Sequence, residues 1–126
     1  MSFVEHNALD WQLRRPGVRS RLVKDTADGR KAVEGLSIVF QECEPGTGAP
    51  SHTHDFEEVI TVLDGTAEVW AGSERLSVGP GASVFVPTGV VHGFRNVGAG
   101  LLRLEGVIAS TELTATFIEE PPTGVH

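Results

Sequence analysis

The stretch His-Thr-His-Asp-Phe-Glu-Glu-Val, residues 52–59, holds two of the five histidines in the chain together with three acidic residues. Successive side chains on an extended strand point to opposite faces, so a continuously extended segment would place His52, His54, Phe56, Glu58, Ile60 and Val62 on one side. Asp55 and Glu57 would then face the other way, onto a solvated surface. Two imidazoles and one carboxylate on a common face are a donor set for a transition metal ion. Taken alone, the histidines would equally suit an exposed polar pair on an edge strand, so the elements around them must decide.

Fifteen glycines and seven prolines punctuate the 126 residues, and the segments between them are short and rich in Val, Ile, Leu, Phe and Thr. This rhythm predicts a β-sandwich or barrel. The expected strands cover 18–24, 35–44, 57–63, 66–71, 83–86, 91–96, 101–108 and 113–118, joined by turns such as Ala-Asp-Gly-Arg at 27–30 and Leu-Asp-Gly-Thr at 63–66. A short helix is expected only in the N-terminal His-Asn-Ala-Leu-Asp-Trp-Gln-Leu. Asp64-Gly65 between two β-like runs predicts a two-residue hairpin pairing Val62 with Ala67, Ile60 with Val69 and Glu58 with Ala71. Its outer face would carry Val59, Leu63 and Trp70, apolar enough to predict a cover, and a homodimer is expected. Residues 1–34 read as an N-terminal strand or arm packed on the barrel, 35–118 as the barrel and 119–126 as a tail.

Two longer patterns surround the histidines. From Gly46 to Gly65 the chain reads glycine, five residues, His-x-His, three residues, Glu58, six residues, glycine. From Gly81 to Asn96 it reads glycine, five residues, Pro87-x-Gly89, two residues, His92, three residues, asparagine. These resemble the two cupin motifs, in order and at family spacing, and the chain is identified as a member of that superfamily over Gly46 to Asn96. The resemblance implies an all-β fold, the double-stranded β-helix or jelly-roll-like cupin barrel. It also implies that His52, His54, Glu58 and His92 ligate one metal ion. Three neutral imidazoles and a carboxylate suit Mn, Fe, Co, Ni, Cu or Zn, and a six-coordinate ion would keep two positions open for substrate, water or oxygen. Ala82 departs from the acidic residue often found after that glycine, without touching a ligand. Gly65 is expected at positive φ, and Pro87 with Gly89 turns the chain so that His92 enters the barrel. Phe56 and Phe94 share parity with the ligands and read first as core. Asn96 is expected to fix a turn, and His6 and His126 to be bystanders.

The bulk properties exclude several classes. The net charge is −7, with seven of the ten Lys and Arg in residues 1–31, so the remainder is strongly acidic and nucleic acid is disfavoured. The basic run Arg14-Arg15-Pro16-Gly17-Val18-Arg19-Ser20-Arg21 lacks any recognition helix or zinc-finger spacing and reads as a solvated or acid-paired strand. Arg103 and Glu105 read as a rim pair; on a strand lining the barrel they would instead anchor a substrate carboxylate and act as a base. A lone Cys43, no signal-like start and no apolar run near the roughly 18 residues of a membrane span point to a cytoplasmic protein with no membrane role. The expected function is a metal-dependent enzyme acting on a small polar metabolite, as a dioxygenase or as a sugar or organic-acid isomerase or lyase. The competing class is a non-catalytic small-molecule binding or sensing module, disfavoured because no segment reads as a DNA-binding domain.

Overall fold

The computed structural model describes residues 2–25 and 33–118. The expected turn at 27–30, His126 and the expected tail lie outside the described residues. After a single 3₁₀ turn at His6–Ala8, every element is a strand: β1 Gln12–Arg15, β2 Val18–Val23, β3 Ser37–Cys43, β4 Gly48–Thr53, β5 Glu58–Asp64, β6 Ala67–Ala71, β7 Glu74–Val78, β8 Ser83–Val86, β9 His92–Asn96, β10 Leu102–Ile108 and β11 Thr116–Phe117. They form two antiparallel sheets, one ordered β1-β2-β3-β10-β5-β8 and the other β11-β4-β9-β6-β7. From β3 onward the chain crosses between the sheets at nearly every connection, which gives the jelly-roll arrangement expected from the sequence. No described helix is long and apolar enough to cross a membrane.

Alternation builds the core. Leu102, Leu104, Gly106 and Ile108 of β10 and Ile60 and Val62 of β5 face inward and are buried, while Arg103 and Leu63 are exposed. Across the gap, Val69, Ala67 and Phe94 complete one apolar cluster with Val18, Cys43 and Val86.

The Asp64-Gly65 dipeptide does not make a hairpin. β5 pairs with β10 and β8, whereas β6 pairs with β7 and β9, so the turn is a corner that carries the chain from one sheet to the other. Ile60 and Val62 therefore meet Val69 and Ala67 across the core instead of side by side. Period-two alternation specifies which face a residue takes, and both arrangements satisfy it equally. Gly65 does adopt positive φ, at 88°, and a Cβ there would come within 2.9 Å of the Leu101 carbonyl oxygen. Val59 and Leu63 consequently lie outside one sheet and Trp70 outside the other, not on a shared face. The expected N-terminal helix is limited to the 3₁₀ turn, because Gln12 to Arg15 pair with β2 as an edge strand.

Candidate metal centre

The second half of β4 and the start of β9 bring His52 and His92 directly opposite each other in one sheet. His54 follows at the end of β4, and Glu58 opens β5 in the facing sheet, so the four predicted side chains converge from both layers. All four are buried, between 1% and 6% exposed. His52 Nε2 lies 3.1 Å from His54 Nε2. Glu58 Oε1 lies 3.5 Å from His54 Nε2 and 3.4 Å from His92 Nε2. One ring nitrogen from each of the three histidines falls within 4.8 Å of the others, a spacing that could hold a metal ion.

The opposite ring nitrogens determine what the centre offers. Nδ1 of His52 meets the Pro50 carbonyl at 2.7 Å, Nδ1 of His54 the Thr114 carbonyl at 2.6 Å, and Nδ1 of His92 the Val90 carbonyl at 2.9 Å. A carbonyl only accepts, so each Nδ1 carries the hydrogen, and in the neutral ring each Nε2 presents its lone pair to the centre. Lone pairs facing one another at 3.1 Å, beside a carboxylate, repel unless a cation lies among them. His92 Nε2 is buried with no hydrogen-bond partner. A buried polar atom without a partner costs on the order of 1–3 kcal/mol, and metal ligation would satisfy it. The residues present therefore fit a divalent transition metal ion.

Without an ion among them, the same groups act on one another's protonation. Burial drives the His52 imidazole down to about 4, with His92 and His54 adding to the effect. Burial alone would raise the Glu58 carboxyl, but the adjacent His54 and His92 rings outweigh it and bring it to about 2. For His54 burial acts downward and is overcome by Glu58 and the Thr114 carbonyl, so its pKa is raised.

Other side chains set the rings in place. Phe56 stacks on His54 with centroids 4.5 Å apart and an interplanar angle of 16°, and Phe94 is core that also lines the cavity. The Gly89 amide donates to the His54 carbonyl at 3.0 Å, so the turn of the second motif is tied to a ligand of the first. Asn96 fixes its turn as expected, donating to the Gly100 carbonyl and accepting from the Gly98 amide. Arg103 points outward to Glu42, 3.3 Å away, and neither Arg103 nor Glu105 lines the cavity. Several contributors escaped the sequence reading. The carbonyl of Thr114 has no residue-type signature. Gly106 leaves room for the Glu58 carboxylate, where a Cβ would lie 2.7 Å from Oε2. Arg14 and Arg15 reach the cavity from β1, although they belong to the basic run read as solvated or acid-paired.

Residues 39–108 match the family described as Cupin domain. This chain is a cupin. Among solved structures it is similar to the polyketide cyclase RemF from Streptomyces resistomycificus, at 24% identity and a TM-score of 0.75, over 97% of this chain and 88% of that one. It is also similar to oxalate decarboxylase from Bacillus subtilis, in a study of its Mn(II) centres, at 21% identity and a TM-score of 0.76, over 90% of this chain and 31% of that one. Both likenesses speak to fold. Among curated proteins, the transcriptional regulator PuuR of Escherichia coli K12 is 30% identical over 89 residues, 70% of this chain and 46% of that protein. The cupin thus spans about half the length of that relative.

Proposed function

We propose that this cupin is a metal-dependent enzyme acting on a small polar metabolite, with His52, His54, Glu58 and His92 holding one divalent transition metal ion. The observation that carries the reading is the three ε nitrogens turned toward a common centre by carbonyls on their far sides. A bound ion would supply Lewis acidity toward a substrate oxygen and, if redox-active, access to oxygen chemistry. Glu58, with its carboxyl held at about 2, supplies a fixed negative charge at neutral pH. The cavity it faces has a volume of about 260 Å³ and walls that include Ile60, Phe94, Leu104 and Leu113, which exclude water from the reacting end of a ligand.

Elemental analysis of protein purified without chelators is expected to give one ion per chain, and His52→Ala with His92→Ala to abolish it. Unchanged metal in that double variant would overturn the ligand assignment. Oxygen uptake during turnover would assign a dioxygenase, and anaerobic turnover with Zn an isomerase or lyase.

A second reading, a cupin that binds a small molecule as a sensor, is favoured by the similarity to PuuR. Recovery of a stabilising ligand chemically unchanged from every metal form, with and without oxygen, would support it. We further propose a cytoplasmic homodimer. On the outer face of the six-stranded sheet the registers align Phe85, Val59, Val107, Ile38 and Val23 in one apolar row, with Phe85 76% exposed. A dimer burying this row is expected in sedimentation, with Phe85→Glu shifting it to monomer.

A further inference from the structure

In an extended strand Arg14 and Arg15 would point to opposite faces, one of them outward. β1 pairs regularly with β2 through Leu13↔Arg19 and then shifts register before Arg15↔Val18. A bulge of this kind re-aims side chains, and both arginines line the cavity that holds the His52, His54, Glu58 and His92 side chains. Pro16-Gly17, with Gly17 at φ 79°, closes the turn that keeps β1 in place over the cavity.

Both guanidiniums are held but not neutralised. Arg15 Nη1 donates to the Gly48 carbonyl at 2.9 Å, and its guanidinium carbon lies 5.5 Å from the centre of the Phe117 ring. Arg14 Nε donates to the buried Ser20 hydroxyl at 2.5 Å. A guanidinium has five N–H groups in a planar fork, so each arginine retains most of its donors for something else. Among the described residues neither forms an ion pair, whereas Arg19 and Arg103 share Glu42 and Arg75 pairs with Glu68. Glu58 is the only acid among the described lining residues, and it faces the histidines. Partial burial lowers the pKa of Arg15, the Cys43 thiol opposes this and the neighbouring Arg14 adds to it. In a protein of net charge −7, the cavity is a local concentration of positive charge.

We propose that Arg14 and Arg15 form an anion anchor, so that the small molecule taken by this site carries a carboxylate at the end away from the histidines. The assignment deepens the metal-dependent reading, on which it rests for the opposite end of the ligand. Bidentate pairing between a guanidinium fork and a carboxylate supplies orientation as well as attraction. The cavity volume of about 260 Å³ accommodates roughly eight or nine non-hydrogen atoms at the packing of a liquid. The part of the ligand held between the arginines and the histidines is therefore short.

The test uses acetate, malonate and succinate as probes, with succinamide as the neutral counterpart of succinate, at constant ionic strength. Thermal shift and titration calorimetry are run on metal-loaded and chelator-treated wild type, Arg14→Gln, Arg15→Gln and the double variant, with metal content measured in parallel. At least one carboxylate is expected to stabilise the wild type and succinamide not to. Affinity should fall tenfold or more in Arg15→Gln and further in the double variant, with metal content unchanged. A double variant that fails to fold is bypassed by phenylglyoxal labelling of the wild type, in which the carboxylate, but not succinamide, should protect Arg14 and Arg15 in peptide mass spectra. Equal responses of wild type and double variant, equal binding of succinamide, labelling without protection, or no binding by any carboxylate would overturn the anchor. Arginine-dependent carboxylate binding by a wild type that takes up no metal would instead overturn the metal reading and leave the anchor standing. Metal uptake without arginine-dependent binding would do the reverse.

Discussion

Glu58 Oε1 on β5 stands 3.4 Å from His92 Nε2 on β9, and the two strands belong to different sheets. The centre is therefore a clasp between the layers of the barrel, and whatever fixes the Glu58 carboxylate also fixes the distance across which an ion would be shared. Gly106 of β10 lies directly behind that carboxylate.

Gly106→Ala is expected to weaken metal binding without removing a ligand. The added Cβ would sit 2.7 Å from Glu58 Oε2 and 2.8 Å from Cγ1 of the fully buried Val39, so the carboxylate must swing or the strand must shift. Overpacking of this kind costs about 1–3 kcal/mol. Denaturant midpoints and metal titration should both fall relative to wild type. Gly100→Ala, where a Cβ would meet nothing within 4 Å, is the control expected to leave metal affinity unchanged.

Much of this centre was legible in the sequence because two spacings specify it. His52 and His54 share parity at the end of β4, but the expected continuous strand to Val62 is broken by bends at Asp55 and Phe56, and Glu58 reaches the centre from the other sheet; Pro87 and Gly89 mark the turn before His92. Strands with inward apolar residues were equally readable. Three were not: β1 Gln-Leu-Arg-Arg and β7 Glu-Arg-Leu-Ser-Val are polar edge strands, and β4 Gly-Ala-Pro-Ser-His-Thr carries turn residues within a strand. The corner at Gly65 was misread because dipeptide chemistry reports a tight turn and not which sheet follows it. The approach of exposed Arg14 and half-buried Arg15 to the cavity depends on a bulge, and a bulge leaves no mark in alternation.

Asn96 is expected to be a fold residue and not a site residue. It is 1% exposed, and its Nδ2 donates to the Cys43 and Gly100 carbonyls at 2.9 and 2.8 Å while Oδ1 accepts from the Gly98 amide. Asn96→Ala leaves these groups without that partner and should cost about 2–4 kcal/mol by chemical denaturation. Asn96→Asp should be no better, since it sets an oxygen against two carbonyls. Metal content of either folded variant should match wild type.

Cys43 should be chemically silent in the folded protein. It is fully buried on β3, and burial pushes its thiol up to about 12 despite the pull of Arg15. The thiolate is the reactive form, so iodoacetamide at pH 8 should label it only as fast as the protein opens. Labelling across a urea series, read by mass spectrometry, should follow the unfolding curve. Labelling of native protein at the rate of a small free thiol would contradict the buried assignment.

The metal-free protein should lose stability on acidification below 6.5, and two histidines should act with opposite sign on either side of that value. His52 titrates near 4 when folded against an ordinary value of 6.5, because burial disfavours its charged form. Between those values the unfolded chain takes up a proton that the folded chain does not, so the contribution of His52 is full above 6.5 and is lost as pH falls toward 4. A shift of that size corresponds to up to about 3 kcal/mol. Glu58, held at about 2 by His54 and His92 against the effect of burial, extends the loss below the ordinary carboxylate value of 4.5. His54 acts with the opposite sign. Its raised pKa gives a contribution that is complete below 6.5 and disappears as pH rises through the folded value. Urea denaturation of chelator-treated protein from pH 7.5 to 3.5 separates the two. His52→Gln should flatten the acid-side slope between 4 and 6.5, whereas His54→Gln should leave that slope unchanged and instead remove the gain in stability as pH falls toward 6.5 from above. Parallel curves for wild type and His52→Gln would mean that this imidazole does not enter the folded state neutral, and with it would go the turned-in lone pair on which the metal reading depends.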